Sequence, residues 1–332
     1  DRKKMKSIAV VILNYKGWHD SLNCLESLLS QDHENFRIIL IDNYSENESV
    51  QKFKEYLNGD LKLKSEYFRH EPEQKKRNYI EYTHEEQINK DNLSEKELSD
   101  KDIVLISTSK NLGFSGGNNV GARYASLMGY EYVLLLNNDT LVTDKSFLNK
   151  LIEPFKKDNT VYMSGPNIIN FDDTFDSPMI EDTFMGNLFY LSLLNFFRRK
   201  LNTPSIYKDI EALSSHIPKQ VYKISGACMM LDTKKFEGIE YLDEKVWLSS
   251  EEAILSEKIK AKGGKIMFTP LTTLIHKKAA SPRPKSDKVS ILRNHYKQRE
   301  YFYKTYKKYG PLKMNIIRLM VSIRILITKI KG

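Results

Sequence analysis

Three short segments carry residue types that could do chemistry. The first is Asn137-Asn138-Asp139, directly after an apolar run. A hard divalent cation takes oxygen ligands and is often held by one or two protein carboxylates together with substrate phosphates, so Asp139 could supply one ligand. An Asp after a strand also serves as a plain turn residue. The second is Glu251-Glu252, near the start of a helical pattern. Carboxylates at a helix N-terminus are favoured by the helix dipole, and one of the pair could equally act as a general base. The third is Asn111-Leu112-Gly113-Phe114-Ser115-Gly116-Gly117-Asn118-Asn119. Its three glycines open a helix and would permit close backbone approach to a ligand. A plain strand-to-helix turn uses fewer glycines and fewer flanking amides.

These residues need a scaffold, and the first half of the chain predicts one. Ser7–Leu13 (SIAVVIL), Phe36–Ile41 (FRIILI), Ile103–Ile106 and Tyr132–Leu136 (YVLLL) read as short buried strands. Helical spacing follows over Asp20–Ser30, Glu46–Leu57 and Ser115–Met128. This alternation predicts an α/β fold, a parallel sheet with helices on both faces. Ligands in such sheets bind beyond the carboxyl ends of the strands, and there the sequence places Asn14, Asp42-Asn43 and Asn137–Asp139. Residues 59–102, rich in Lys, Glu, Asn and Gln, read as an exposed, partly helical insertion. Further on, Val221–Leu231 reads as one strand, Glu251–Lys262 as a helix, and Lys265–Phe268 and Thr272–Ile275 as two strands, the second ending at His276. The aromatic and basic segment Phe171–Leu213 could line an acceptor cleft, touch a membrane surface, or pack in the core.

Composition narrows the function classes. The formal charge of +9 suits an anionic partner: a lipid surface, a phosphorylated substrate or nucleic acid. Lys and Arg form no aromatic-interleaved stripe of a known nucleic-acid reader, so nucleic acid is not expected. Cys24 and Cys228 lack metal-ligand spacing and read as small buried hydrophobes in a reducing compartment. The polar start, Asp1 to Lys6, shows no signal peptide, and Asp1 points to an upstream truncation or an added residue. No stretch reaches the roughly 18 apolar residues of a membrane span. Leu312–Ile330 is apolar but interrupted by Arg318, Arg324 and Lys329. It reads as a helix lying on an anionic membrane or packed on the core or a partner. The turn Asn14-Tyr15-Lys16-Gly17-Trp18 contains no G-x-G-x-x-G, and no G-x-x-x-x-G-K-[ST] occurs, which argues against a dinucleotide site or P-loop.

The order of VVILNY (10–15), IDNYS (41–45), NLGFSGGNN (111–119), LLLNNDT (134–140), SGACMMLDTKKF (225–236), EE (251–252) and His276 resembles glycosyltransferase family 2. That family comprises GT-A enzymes, including rhamnosyl-, galactosyl- and glucosyltransferases of bacterial polysaccharide assembly. The resemblance spans residues 6–280, and the basic-aromatic Tyr296–Tyr306 is similar to a segment that closes many members. It implies a GT-A domain over 6–280, carrying the 59–102 insertion, and a helical extension over 281–332.

The resemblance also implies roles. Asn14 and Tyr15 would contact the nucleotide, Asp42 the pyrimidine base with Asn43 beside it, and Asn111, Gly113 and Gly117 the base and ribose. Asn137, Asn138 and Asp139 stand at the D-x-D position. Its first Asp is Asn here, leaving Asp139 as the charged ligand of Mg2+ or Mn2+. His276 would reach the metal or the diphosphate. Glu252 aligns with the usual catalytic Asp, one methylene longer, and Glu251 is its alternative. The expected reaction is inverting transfer from a dTDP-rhamnose or UDP-hexose donor to a glycan or polyprenyl-diphosphate-linked acceptor, on the cytoplasmic face of a membrane. A catalytically dead sugar-nucleotide or glycan-binding module and a nucleotidyltransferase are the rivals. The first is suggested by Asn137 and Glu252. The second lacks its Gly-rich basic loop after strand one.

Overall fold

The computed structural model describes residues 8–33, 35–65, 67–68, 72–89, 103–186, 208–247, 249–278 and 288–330. One ten-stranded mixed sheet runs β3-β4-β2-β1-β5-β9-β7-β10-β6, with β8 paired to β10. Its strands are β1 (Ile8–Asn14), β2 (Phe36–Asp42), β3 (Tyr79–Tyr82), β4 (Ile103–Ser107), β5 (Tyr132–Asn137), β6 (Thr140–Val142), β7 (Val161–Asn170), β8 (Lys219–Val221), β9 (Cys228–Asp232) and β10 (Lys265–His276). The helices are α1 (Trp18–Leu29), α2 (Ser49–Asn58), α3 (Gly113–Leu127), α4 (Phe147–Lys157), α5 (Ile210–Leu213), α6 (Thr233–Gly238), α7 (Glu251–Ala261), α8 (Lys288–Thr305) and α9 (Pro311–Ile330).

Strand alternation explains the layers. In β1, Ile8, Val10 and Ile12 face one core and Ala9 and Val11 the other, because successive side chains point to opposite faces. The first core takes Leu22, Leu25 and Leu28 of α1, Phe53 and Leu57 of α2, and Phe147 and Leu151 of α4. The second takes Val120 and Tyr124 of α3, Phe236 of α6, and Leu255 and Ile259 of α7. With both faces covered, the central strands need no polar side, which is why they read as continuous apolar runs. A third cluster joins Ala253 and Ile254 of α7 to Tyr296, Phe302 and Tyr303 of α8 and Met314 and Ile317 of α9.

The strand directions gather the polar tips on one edge. β1, β2, β4 and β5 are mutually parallel, β9 is antiparallel to β5 and β7, and β7 is parallel to β10. The C-terminal ends of β1, β2, β5, β7 and β10 and the N-terminal end of β9 therefore share an edge.

Three local expectations are corrected. The 59–102 insertion is not wholly exposed: β3 extends the sheet parallel to β4, and among the described residues its helix is one short 3-10 turn, Glu85–Gln87. Residues 90–102 lie outside the described residues. Val221–Leu231 is two strands, because Tyr222–Ala227 leaves the sheet. Lys265–Phe268 and Thr272–Ile275 are one strand, β10, whose register against β7 shifts between Thr269 and Thr273. Pro270, which has no N–H for the ladder, sits in that irregularity.

Candidate active site

The β1–β2 half of the edge is built from side-chain amides. Asn14 Nδ2 donates to Asp42 Oδ1 at 2.7 Å and to Ser45 Oγ at 3.1 Å. Its Oδ1 accepts from Gly17 N at 3.2 Å and Ser21 Oγ at 2.8 Å. Asn14 thus ties the tip of β1 to the tip of β2 and to the start of α1. Asp42 also accepts from the Ser45 hydroxyl and, through Oδ2 at 3.1 Å, from Ser45 N. Asn43 Nδ2 donates to Asn111 Oδ1 and Gly113 O, both at 3.1 Å, and its Oδ1 accepts from Leu112 N at 2.9 Å. Asn14, Asp42 and Asn43 are all buried, whereas Tyr15 is 42% exposed at the same edge.

The glycine-rich segment holds the protein together more than it opens it. A Cβ at Gly117 would lie 2.5 Å from Leu13 Cδ1, and one at Gly121 would lie 2.6 Å from Val11 Cγ1. Both let α3 lie directly on β1. Gly113 has a φ of +70°, and a Cβ there would meet the Trp247 carbonyl at 2.9 Å. The first amides of α3 are also engaged, Gly113 N with Asn111 Oδ1 and Phe114 N with Trp247 O. Expected as an open ligand cradle, this loop spends its first amides on protein partners, while the buried Ser115 hydroxyl has none among the described residues.

The tips of β5 and β10 differ. Asn138 Nδ2 bridges to Gly17 O and Ser21 Oγ, holding the β5 tip against α1. The next residue, Asp139, points to His276 Nε2 at 3.2 Å, while His276 Nδ1 lies 2.9 Å from Asp176 Oδ2. β10 pairs with β6 so that His276 faces Thr140, which brings the His beside Asp139. Burial disfavours the imidazolium, but the hydrogen bonds to Asp139 and Asp176 outweigh it and push the imidazole up to about 9. Lys277 fixes the same corner, with its N–H on Asp139 O at 2.9 Å and its Nζ on Asp20 Oδ1 at 3.0 Å.

Among the described residues no group of three or more His, Cys, Asp or Glu could hold a metal ion. Asp139 and His276 Nε2, 3.2 Å apart, are the pair that could supply ligands. Two protein ligands suit a hard or borderline divalent ion that completes its shell with substrate phosphates and water. Asp176, which the sequence did not single out, joins this corner from the loop after β7. No local signal marked it, since it sits 100 positions from His276 among Asp, Thr and Ser turn residues.

Glu251 and Glu252 begin α7 after two residues of positive φ, Ser249 at 135° and Ser250 at 70°. Non-glycine residues in that region are uncommon and concentrate at functional sites. With Asp182, Lys223, His295, Arg299 and Phe302 they line a cleft of about 350 Å3 between α7 and α8. Glu252 Oε1 accepts from Gly226 N at 3.2 Å. Glu251 is 6% exposed and its Oε2 is buried with no hydrogen-bond partner. Burial first, and the neighbouring Glu252 charge second, raise its carboxyl well above the usual range, so it holds its proton at neutral pH. Asp182 accepts from Lys223 Nζ at 2.6 Å and pairs with Arg299 Nη2 at 3.1 Å. His295 is pushed down to about 4 by burial and then by Arg299 and Arg324, and is therefore neutral.

Asp42 and Asp139 do not line that cleft; the corners are connected by short bonded paths. Asn137 N donates to Ala227 O at 3.0 Å, one residue from the Gly226 that holds Glu252. From His276 the path runs through Asp176 to Ser177, whose Oγ accepts from Ser225 N at 2.7 Å. The segment that interrupts the expected strand thus joins the Asp139 tip to Glu252. Of the aromatic segment, Phe184 packs edge-on against Tyr309 at 5.8 Å, in the core of α8 and α9. Phe189, Tyr190, Phe196, Phe197 and Arg198-Arg199-Lys200 lie outside the described residues. Cys24 and Cys228 are free and buried, as expected.

The mixed α/β sheet with helices on both faces matches the GT-A architecture. Three solved structures share the fold: GalNAc-T7 with UDP, GalNAc and Mn2+ (TM-score 0.55, 16% identity, 92% of this chain and 49% of that one); the mannosyltransferase PcManGT from Pyrobaculum calidifontis with GDP-Man and Mn2+ (0.53, 11%, 100% and 77%); and S. aureus TarS 1-349 with UDP-GlcNAc (0.51, 12%, 95% and 71%). The family model "Glycosyl transferase family 2" matches residues 7–79 and 86–215, well over half of the chain, and the protein belongs to that family. Glu251, Glu252 and His276 lie beyond the matched residues. The chain is also 32% identical over 169 residues to the low-salt glycan biosynthesis hexosyltransferase Agl10 of Haloferax volcanii, the aligned stretch spanning about half the length of each.

Proposed function

We propose that this protein is an inverting, divalent-metal-dependent hexosyltransferase with Glu252 as its general base. The observation that carries the reading is the placement of Glu252, which lines the α7–α8 cleft and rests on Gly226 N beside the Asp139 tip. Glu252 takes the proton from an acceptor hydroxyl. The freed oxygen forms a bond to the anomeric carbon of the donor sugar as the bond from that carbon to the diphosphate oxygen breaks. The leaving nucleoside diphosphate carries away the electron pair, and the anomeric centre inverts. Glu251, whose carboxyl burial pushes up so that it holds its own proton at neutral pH, cannot take the acceptor's proton, which leaves the role to Glu252. Asp139 and His276 would hold Mg2+ or Mn2+, which when bound offsets charge on the leaving diphosphate. Mn2+ in two of the related structures supports this choice of ion.

The nucleotide would lie over the tips of β1 and β2. Tyr15 offers an exposed face there, and Asp42 Oδ2 engages a single backbone donor, leaving it free to accept from a base. The resemblance to polysaccharide-assembly enzymes favours a dTDP-rhamnose or UDP-hexose donor and a glycan or lipid-linked acceptor in cell-surface polysaccharide synthesis, and the similarity to Agl10, a hexosyltransferase of glycan biosynthesis, supports hexosyl transfer in glycan assembly. Peripheral attachment to the inner membrane face is part of the same reading. Leu312, Leu319, Ile323 and Leu326 are exposed on α9, flanked by Arg318, Arg324 and Lys329, an arrangement suited to an anionic interface. No helix among the described residues is long and apolar enough to cross a membrane.

A screen of dTDP-, UDP- and GDP-sugars with Mn2+ by thermal shift tests the donor, since a ligand bound only by the folded state raises the midpoint. Absence of any shift and of any donor consumption, with metal present, would leave only a sheet scaffold without this activity.

A further inference from the structure

Asp176 lies in the loop after β7, and both its carboxylate oxygens are engaged. Oδ2 faces His276 Nδ1 at 2.9 Å. Oδ1 accepts from Asn170 Nδ2 at 3.0 Å and meets Lys278 Nζ at 3.2 Å. The loop is tied on each side, by the backbone bond from Asp176 N to Ile168 O and by the Ser177 side chain, whose Oγ accepts from Ser225 N. The carboxylate is thus fixed by the end of β7, by the residue two beyond the end of β10, and by the segment leading to Glu252.

An imidazole presents its two nitrogens on diverging edges. With Nδ1 committed to Asp176, Nε2 points away from that carboxylate and meets Asp139 Oδ1 at 3.2 Å. Asp176 therefore cannot share an ion with Nε2. It can set the direction of Nε2 and decide which nitrogen keeps a proton when a cation binds. The buried Asp176 charge is compensated first by the His276 hydrogen bond and then by Asn170 and Lys278 on the other oxygen.

We propose that Asp176 is a positioning residue of the cation site: it keeps the proton on His276 Nδ1, so that the Nε2 lone pair and the Asp139 carboxylate converge on one divalent ion. This rests on the metal reading of Asp139 and His276 given above. A carboxylate behind a metal-binding His fixes its tautomer and orientation, and losing one typically weakens metal affinity about 10- to 100-fold.

The test uses the full chain and Mn2+ itself, with free Mn2+ followed by electron paramagnetic resonance in the presence and absence of UDP or dTDP. Asp176→Asn retains an oxygen that can accept from Nδ1 and should bind Mn2+ within a few-fold of wild type. Asp176→Ala should bind it 10- to 100-fold more weakly, and Asp176→Leu, of similar shape, replaces Ala if that variant unfolds. With diamagnetic Mg2+, the 15N spectrum of His276 should show Nδ1–H in wild type and Asp176→Asn, and lose that single tautomer in the Ala or Leu variant. A purely structural Asp176 would lower the melting midpoint and metal-free nucleotide binding while leaving the tautomer alone, which overturns the proposal. So does wild-type Mn2+ affinity in Asp176→Ala or Asp176→Leu. If wild type and His276→Ala bind Mn2+ equally, or neither binds it, the metal reading falls and the proposal with it.

Discussion

The two halves of the strand-tip edge satisfy their polar groups in opposite ways. Around β1 and β2 the amides of Asn14 and Asn43 use both donor and acceptor ends on protein partners, and α3 is drawn onto the sheet by glycine contacts. Around α7, Glu251 keeps an unpartnered buried oxygen and Glu252 has one backbone donor in an open cleft, while at the end of β10 the two nitrogens of His276 meet only acidic partners that a cation could share. A saturated network sets shape, and unsaturated groups are available to a substrate. On the proposed reading, motif residues of the first half act mainly by holding the edge rigid, and those of the second half would do the chemistry.

The comparison breaks first on Glu252. Glu252→Gln should lower turnover roughly 10²- to 10⁴-fold, the usual contribution of a general base, while nucleotide affinity by calorimetry stays at the wild-type value. Residual activity near wild type would move the base elsewhere.

The rigid half is tested by Gly117→Ala, which should cost about 1–3 kcal/mol by overpacking α3 against Leu13, read from urea unfolding. Loss of nucleotide binding with unchanged stability would instead restore the ligand-cradle role. Asn43→Ala strands the partners of a buried amide and should cost about 1–3 kcal/mol in the same assay.

A smaller effect concerns pH. The folded state holds a proton on Glu251 that the unfolded chain releases in the ordinary carboxylate range, so from there up to the folded value of about 8 the native state binds more protons. Stability should then fall as pH rises through this window. Glu251→Gln, which cannot ionise, should flatten the decline in melting midpoint between pH 6 and 9, and parallel curves would remove Glu251 as its source. Smallest of all, Leu319→Ser with Ile323→Ser on the exposed face of α9 should leave stability within about 0.5 kcal/mol while releasing the protein from anionic vesicles. Undiminished sedimentation with such vesicles would place the contact elsewhere.

Much of the candidate site was legible because it lies at strand ends, and strand ends are local. An apolar run closed by Asn14, Asp42 or Asn137–Asp139 gives both the element and its polar tip, since burial on both faces forbids polar residues inside the strand. Three things were not legible. β3 carries no buried side chain and is a strand only because the β4 edge receives it. The glycines of α3 read as openings toward a ligand, and only their distances to Val11 and Leu13 reveal packing. Asp176 has no signature at all; what matters is that it reaches His276.

The sequence by itself determined the alternating elements, the covered sheet and the polar residues at its tips, because periodicity and burial act over a few neighbouring positions. Tertiary structure alone decided which tips are saturated and which are available, which nitrogen of His276 faces Asp139, and that Tyr222–Ala227 leaves the sheet to support Glu252. Those outcomes depend on hydrogen-bond partners tens to more than a hundred residues apart, whose meeting is set by strand order and register, and no local pattern encodes it.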